Sequence, residues 1–170
     1  MPHDQRENGL PELADVHKLA LHPLDPTHLY VTTHYGTFRS DDGSASWQNI
    51  GAGLPFEMTR PLALHPRDPD TLYVICHEDA PDANLPIIRG PLLVHRSRDG
   101  GRTWQALGEG LPIQAGCAVL REALTIDEAT PCGLYLGTNR GQVFASADEG
   151  DTWRLIAEVG ASVRVVQVSV

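Results

Sequence analysis

The stretch Ser97-Arg98-Asp99-Gly100-Gly101-Arg102-Thr103-Trp104 decides the fold, because the chain repeats it. Ser146-Ala147-Asp148-Glu149-Gly150-Asp151-Thr152-Trp153 shares the pattern S-x-D-x-G-x-T-W in full. A third copy, Ser40-Asp41-Asp42-Gly43-Ser44-Ala45-Ser46-Trp47, has Ser44 in place of Gly and Ser46 in place of Thr, so its hairpin is expected to be the least regular. The chemistry suits a tight β-turn. An Asp carboxylate accepts backbone N–H groups two residues on, Gly supplies a positive φ, and Trp anchors the returning strand as a packed aromatic. Ser40, Asp42, Trp47, Ser97, Asp99, Gly101, Thr103, Trp104, Ser146, Asp148, Gly150, Thr152 and Trp153 are therefore read as structural residues.

The repetition extends beyond the turns. Ala20-Leu21-His22-Pro23-Leu24-Asp25-Pro26-Thr27-His28-Leu29-Tyr30-Val31 recurs 43 positions later as Ala63-Leu64-His65-Pro66-Arg67-Asp68-Pro69-Asp70-Thr71-Leu72-Tyr73-Val74. A degenerate third copy runs from Leu124-Thr125-Ile126-Asp127 to Gly133-Leu134-Tyr135-Leu136. Each copy is followed by a short strand into the turn and another leaving its Trp. Four short strands in about 40 to 45 residues, punctuated by Pro, Asp and Gly, make one blade of a β-propeller.

The turn resembles the Asp-box, or BNR repeat, known from sialidases, sortilin-type receptors, photosystem II assembly factors and microbial proteins named glycosyl hydrolases. That resemblance implies an all-β propeller whose boxes are hairpins on the outside of the blades, away from the ligand face. Function is then to be sought elsewhere on the chain.

The units fall at about 16–55, 59–112 and 117–160. Gly53-Leu54-Pro55 and Gly110-Leu111-Pro112 close the first two, and Gly9-Leu10-Pro11 stands as the tail (9–11) of a preceding blade. Val163-Arg164-Val165-Val166-Gln167-Val168 reads as the inner strand of a further unit (163–170). The expectation is an all-β segment of about three four-stranded blades plus one extra strand. A closed ring takes about four to eight blades. The ring would be completed by missing N-terminal blades of a longer protein or by a homodimer.

The chain has 170 residues, enough for one domain, and a net charge of −9, which argues against nucleic acid and anionic membrane surfaces as partners. No apolar run approaches a membrane span, and the polar first eight residues lack a leader core, which with reduced thiols implies a cytoplasmic protein. Cys76, Cys117 and Cys132 have no CxxC spacing. They are expected as buried thiols, with a Cys117–Cys132 bridge as the alternative.

Candidate binding residues come from the inner strands, which line the channel of a propeller. Aligning the repeats places His17, Arg60, Glu122 and Arg164 at one position, each followed on the same face by two apolar residues under period-2 alternation. Such a ring at the channel mouth would hold an anionic or sugar ligand. The alternative is a set of solvated residues at the starts of the strands. His22 and His65 occupy the same turn of successive repeats and are read as structural, while His28, His34 and His95 each stand alone. No phosphate loop, His-Glu-x-x-His helix or Gly-x-Ser-x-Gly elbow is present, so no catalytic residue, cofactor or metal ligand is assigned.

A sialidase-like activity, which the resemblance implies, calls for three arginines, a Tyr–Glu pair, an Asp acid and an Arg-Ile-Pro motif. The motif is absent, and Glu122 stands where a third arginine would be. Tyr30, Tyr73 and Tyr135 share one repeat position and are read as packing residues. The second unit carries about 14 extra residues within His77-Glu78-Asp79-Ala80-Pro81-Asp82-Ala83-Asn84-Leu85-Pro86-Ile87-Ile88-Arg89-Gly90-Pro91. Its Leu85, Ile87 and Ile88 call for packing against the body or a partner. The sequence thus indicates a binding or assembly module working through the channel mouth and the 77–91 loop, with a protein or carbohydrate ligand. A sialidase-like glycoside hydrolase, completed by residues in other blades, is the alternative.

Overall fold

The computed structural model describes residues 9–10, 15–78 and 87–168. Twelve strands among them form three four-stranded antiparallel sheets. The first comprises β1 (Val16–His22), β2 (Asp25–Thr33), β3 (Gly36–Ser40) and β4 (Gln48–Asn49). The second comprises β5 (Thr59–Leu64), β6 (Leu72–Cys76), β7 (Val94–Ser97) and β8 (Gln105–Leu107). The third comprises β9 (Leu124–Ile126), β10 (Leu134–Gly137), β11 (Gln142–Ser146) and β12 (Arg154–Glu158). In every sheet the strands lie side by side in chain order, the up-and-down arrangement of a propeller blade.

The blades stack through apolar side chains of their second strands together with residues of flanking strands and turns. Tyr30, Ile50, Leu62, Leu72 and Val74 form one core between the first two blades, with Ala20 and Trp104 packed against it. Ile75, Val94, Leu134, Phe144 and Trp153 belong to a second, larger core between the second and third. Tyr30 and Tyr73 are wholly buried, and they share a register position, paired with Ala20 and Ala63 on one side and Arg39 and Arg96 on the other.

Polar links repeat with the same period. His22 Nδ1 accepts the Leu24 N–H, which leaves Nε2–H to donate to the His65 carbonyl of the next blade at 3.3 Å. His65 Nδ1 accepts the Arg67 N–H in the same way, and its Nε2 lies 3.4 Å from Cys132 Sγ on the third blade. All three cysteines are free and buried; Cys132 faces His65 and Arg67, and Cys117 bridges the backbone of Ile88. No Cys117–Cys132 bridge forms.

The three Ser-x-Asp turns have one hydrogen-bond pattern. Ser97 Oγ donates to Asp99 Oδ1 and accepts the Gly101 N–H at 2.7 Å, while Asp99 accepts the N–H and hydroxyl of Thr103, four residues on rather than two. Ser146, Asp148, Gly150 and Thr152 repeat it. Ser40, Asp42, Ser44 and Ser46 repeat it too, so the expected irregularity of this copy does not lie in its hydrogen bonds. It lies in Ser44, held at φ 78° where the other copies have Gly, and in a following strand of two residues. The tryptophans also differ. Trp153 is 3% exposed, whereas Trp47 and Trp104 are half-buried.

Two expected features take a different form. Residues 163–168 are extended but make a single parallel bridge, Val165 to Glu122, beside the third blade. The described ends of the long 77–91 insertion pack down: Glu78 bridges Ile87, and Ile88 bridges Cys117 and is buried in the larger core. Leu85, Asp79 and Asp82 lie outside the described residues.

Candidate functional site

The starts of the three inner strands β1, β5 and β9 converge at one end of the segment, and that end gathers the charged residues. His17 enters it because of a β-bulge. The pairing of β1 with β2 slips between Val16 and Lys18, so His17 turns inward while Leu19 and Leu21 stay exposed. A bulge re-aims a side chain in this way by inserting an extra residue into the ladder. The sequence expectation that His17 shares a face with Leu19 and Leu21 is therefore corrected. A second slip between Thr59 and Leu62 does the same beside Arg60.

His17 Nδ1 lies 2.6 Å from the Thr59 carbonyl, so Nδ1 carries the proton and Nε2 presents its lone pair. Nε2 is buried and has no hydrogen-bond partner. It points toward Asp15 Oδ2 at 3.7 Å, and His34 Nε2 reaches the same oxygen at 3.3 Å. Arg121 stands 3.7 Å from that oxygen as well. Burial, followed by the positive charge of Arg60, His34 and Arg121, pushes the His17 pKa down to about 4. His17 is thus a neutral imidazole at neutral pH.

Arg60 is half-buried, with Nε buried and unpartnered. Its pKa is lowered by burial and by repulsion from Arg121, and Asp15 is the carboxylate that opposes this. Glu122 is exposed and ion-paired with Lys18. Arg164 is exposed in the extended segment after the third blade, outside any strand. Of the four residues placed at one repeat position, His17 and Arg60 thus enter the cluster around Asp15, while Glu122 sits at its rim and Arg164 lies on a solvent-facing segment.

A cleft of about 470 Å³ opens beside this cluster. His34 and Tyr35, the two residues joining β2 to β3, form one wall; Phe56, Glu57 and Met58, before β5, form another. His77 lies at its back, 0% exposed, with Nε2 accepting the Val119 N–H and Nδ1 unpartnered. Burial pushes its pKa down to about 3.

Sequence reading missed Asp15, Lys18, His34 and Arg121 as site residues and named His77 as the start of the 77–91 loop. His34 was the most accessible of these: β1 and β2 are antiparallel, so the end of β2 must return beside the start of β1, where His17 sits. Lys18 lies within β1, Asp15 and Arg121 just before inner strands and His77 just after β6, and their convergence is a product of blade stacking.

No protein family matches the chain, and no curated protein matches it. Solved structures do. A GH74 xyloglucanase from Xanthomonas campestris superposes with a TM-score of 0.66 at 24% identity, over 89% of this chain and 22% of that one. YCF48 from Cyanidioschyzon merolae superposes with a TM-score of 0.59 at 17% identity, over 89% of this chain and 39% of that one. The chain is a β-propeller segment. YCF48 bound to D1 peptide is a further match, with a TM-score of 0.58 at 15% identity over 86% of this chain and 41% of that one. This propeller segment therefore spans about two fifths of the YCF48 chains and about a fifth of the xyloglucanase.

Proposed function

We propose that the chain is a non-catalytic binding module of Asp-box blades that takes an acidic peptide segment or terminal carboxylate beside Arg60 and Arg121. The observation that supports this is an imbalance of charge. Two guanidiniums from adjacent blades oppose a single carboxylate, Asp15, and Arg60 Nε has no partner. A carboxylate ligand entering from the neighbouring cleft would supply the missing acceptor, and guanidinium–carboxylate pairs are among the strongest polar contacts. A peptide is favoured over a sugar because the unmet groups are cationic and the match to YCF48 bound to D1 peptide supplies a parallel at the level of the fold.

The glycosidase reading is favoured by the likeness to GH74 enzymes alone. Two of the carboxylates at this end are tied to cations, Asp15 to His34 and Arg121 and Glu122 to Lys18, so neither stands free as a catalytic acid or base. The proposal also includes a ring completed by further blades or by a second copy, in the cytoplasm.

Fluorescence anisotropy with labelled acidic and neutral peptides tests the proposal. Arg60→Ala or Arg121→Ala should weaken acidic-peptide binding about tenfold or more, the scale of one lost charge-assisted hydrogen bond. Equal binding of both peptides, or steady turnover of an aryl glycoside abolished by Asp15→Asn or Glu122→Gln, would reject it.

A further inference from the structure

We infer that Asp15, His17 and His34 form a binding site for a divalent transition-metal ion of the zinc type, opening onto the cleft beside Met58. The site goes beyond the peptide reading and does not depend on it. One donor atom from each of the three residues lies within 4.8 Å of the other two, and Asp15 Oδ2 stands 3.7 Å from His17 Nε2 and 3.3 Å from His34 Nε2. A tetrahedral ion about 2.0 to 2.2 Å from each ligand needs donors roughly 3.4 Å apart, so a contraction of about an ångström along one edge seats it. Two imidazoles and one carboxylate with open positions are a donor set suited to zinc, iron and cobalt.

The second observation is the state of His17. Its side chain is wholly buried, its proton is held on Nδ1 by the Thr59 carbonyl, and Nε2 faces the cluster without a hydrogen bond. Burying an imidazole lone pair without a donor costs free energy, which a metal ion would recover. A backbone carbonyl on the far nitrogen is also the usual outer partner of a metal-bound histidine, because it fixes the tautomer and the ring direction. The rings of His17 and His34 lie 4.5 Å apart at 55°, so both can present an edge to one ion.

Arg60 and Arg121 set the chemistry of the open positions. Next to a dication they disfavour a cationic or neutral fourth ligand and favour an anion, with Arg121 passing from Asp15 to the incoming group. The ion and the arginines would then grip the two oxygens of one carboxylate.

The experiment uses the whole chain, freed of metal with a chelator, and titrates Co²⁺ as a spectroscopic probe and Zn²⁺ by calorimetry, both without peptide. The expected result is one ion per chain, with the strong visible absorption of four- or five-coordinate Co²⁺. His34→Gln, at a half-buried side chain, and Asp15→Asn, at an exposed one, should each weaken binding by more than the roughly 10- to 100-fold that loss of an outer partner costs. His28 is half-buried in β2 and paired with Asp25 and Asp41 instead, so His28→Gln should leave binding unchanged. No stoichiometric binding, or binding insensitive to both His34→Gln and Asp15→Asn, overturns the site. Acidic-peptide affinity measured with chelator present reports separately on the arginines, so either reading can fail without the other.

Discussion

Arg39 of the first blade and Arg96 of the second occupy the same register position, opposite Tyr30 and Tyr73, and both reach across to the turn of the following blade. Arg39 pairs with Asp70 at 2.8 Å and approaches the Gly100 carbonyl at 3.5 Å, with its guanidinium 5.7 Å above the Tyr30 ring. Arg96 donates to the Glu149 carbonyl at 2.8 Å and pairs with Asp151 at 2.9 Å. The third blade has Ala145 at this position. The arginine is thus a strap between blades, rebuilt at each step of the repeat.

Arg96→Ala should cost about 1 to 3 kcal/mol, the range for losing charge-assisted hydrogen bonds when the partner left behind, Asp151, is free to hydrate. Arg39→Ala should cost less, because Arg39 is itself the more accessible of the two arginines, its side chain 12% exposed against 5% for Arg96. Urea denaturation of both variants checks the order, and a larger loss for Arg39 would contradict it.

The buried tryptophan is Trp153, and its replacement by Ala should cost about 3 to 5 kcal/mol, as for other core aromatics. Trp104 keeps part of its ring in solvent and donates Nε1–H to the Ile50 carbonyl at 2.9 Å, so Trp104→Ala should cost about 1 to 3 kcal/mol. Equal losses in thermal or chemical unfolding would show that the two rings are packed alike.

Ser44→Gly should raise stability by about 0.5 to 1 kcal/mol, since it removes a side chain from a left-handed backbone position at which nothing else depends on it. Gly101→Ala is the opposite case. Its φ is 88°, and a Cβ there would stand 2.5 Å from Ile50 Cδ1, so the variant should unfold at lower denaturant. A stabilised Gly101→Ala would contradict the packing of that turn.

Acid should destabilise the protein in two steps. Burial pushes the His95 pKa from 6.5 down to about 4, so the unfolded chain binds more protons between those values and stability falls as pH drops from about 6.5 to about 4. His95→Gln should remove at most about 1.4 kcal/mol per pH unit of that slope. Asp42, Asp99 and Asp148 have pKa values lowered to about 2 from 3.8; for Asp42 and Asp99 the chief cause is the hydroxyl of Ser46 or Thr103. The turn aspartates therefore contribute stability that is full above about pH 4 and lost as pH falls toward 2. Denaturation midpoints from pH 8 to pH 2 would reveal both steps, and a flat profile above pH 4 would exclude the first.

The terminal blades present apolar side chains away from their neighbours. Ala20 packs toward the second blade, so Leu19 and Leu21, at 51% and 55% exposure, face the other way, and Ile156 is exposed on the last strand of the third blade. This chain on its own should self-associate or bind a hydrophobic dye, and Leu19→Ser with Leu21→Ser should reduce either effect. Light scattering that finds a monodisperse monomer without dye binding would show that these faces are stable in water.

The repeats by themselves determined the fold. The Ser-x-Asp turns, the Leu-His-Pro-x-Asp-Pro segments and the Leu-Tyr-Val strands each specify local backbone through hydrogen bonds spanning a few residues, so their spacing alone marks three four-stranded blades. Even the first turn, with Ser44 and Ser46, kept its network, because side-chain hydroxyls of Ser and Thr bond alike. The site was another matter. Period-2 alternation put His17 on the face of Leu19, and only the tertiary structure, through the bulge between Val16 and Lys18, turned it toward Asp15 and His34. Arg60 and Arg121 lie on consecutive units, yet face one carboxylate because adjacent inner strands start at the same end. Local chemistry is written in adjacent residues; a cluster drawn from three blades depends on bulges and on blade stacking, whose energies come from contacts far apart in the chain.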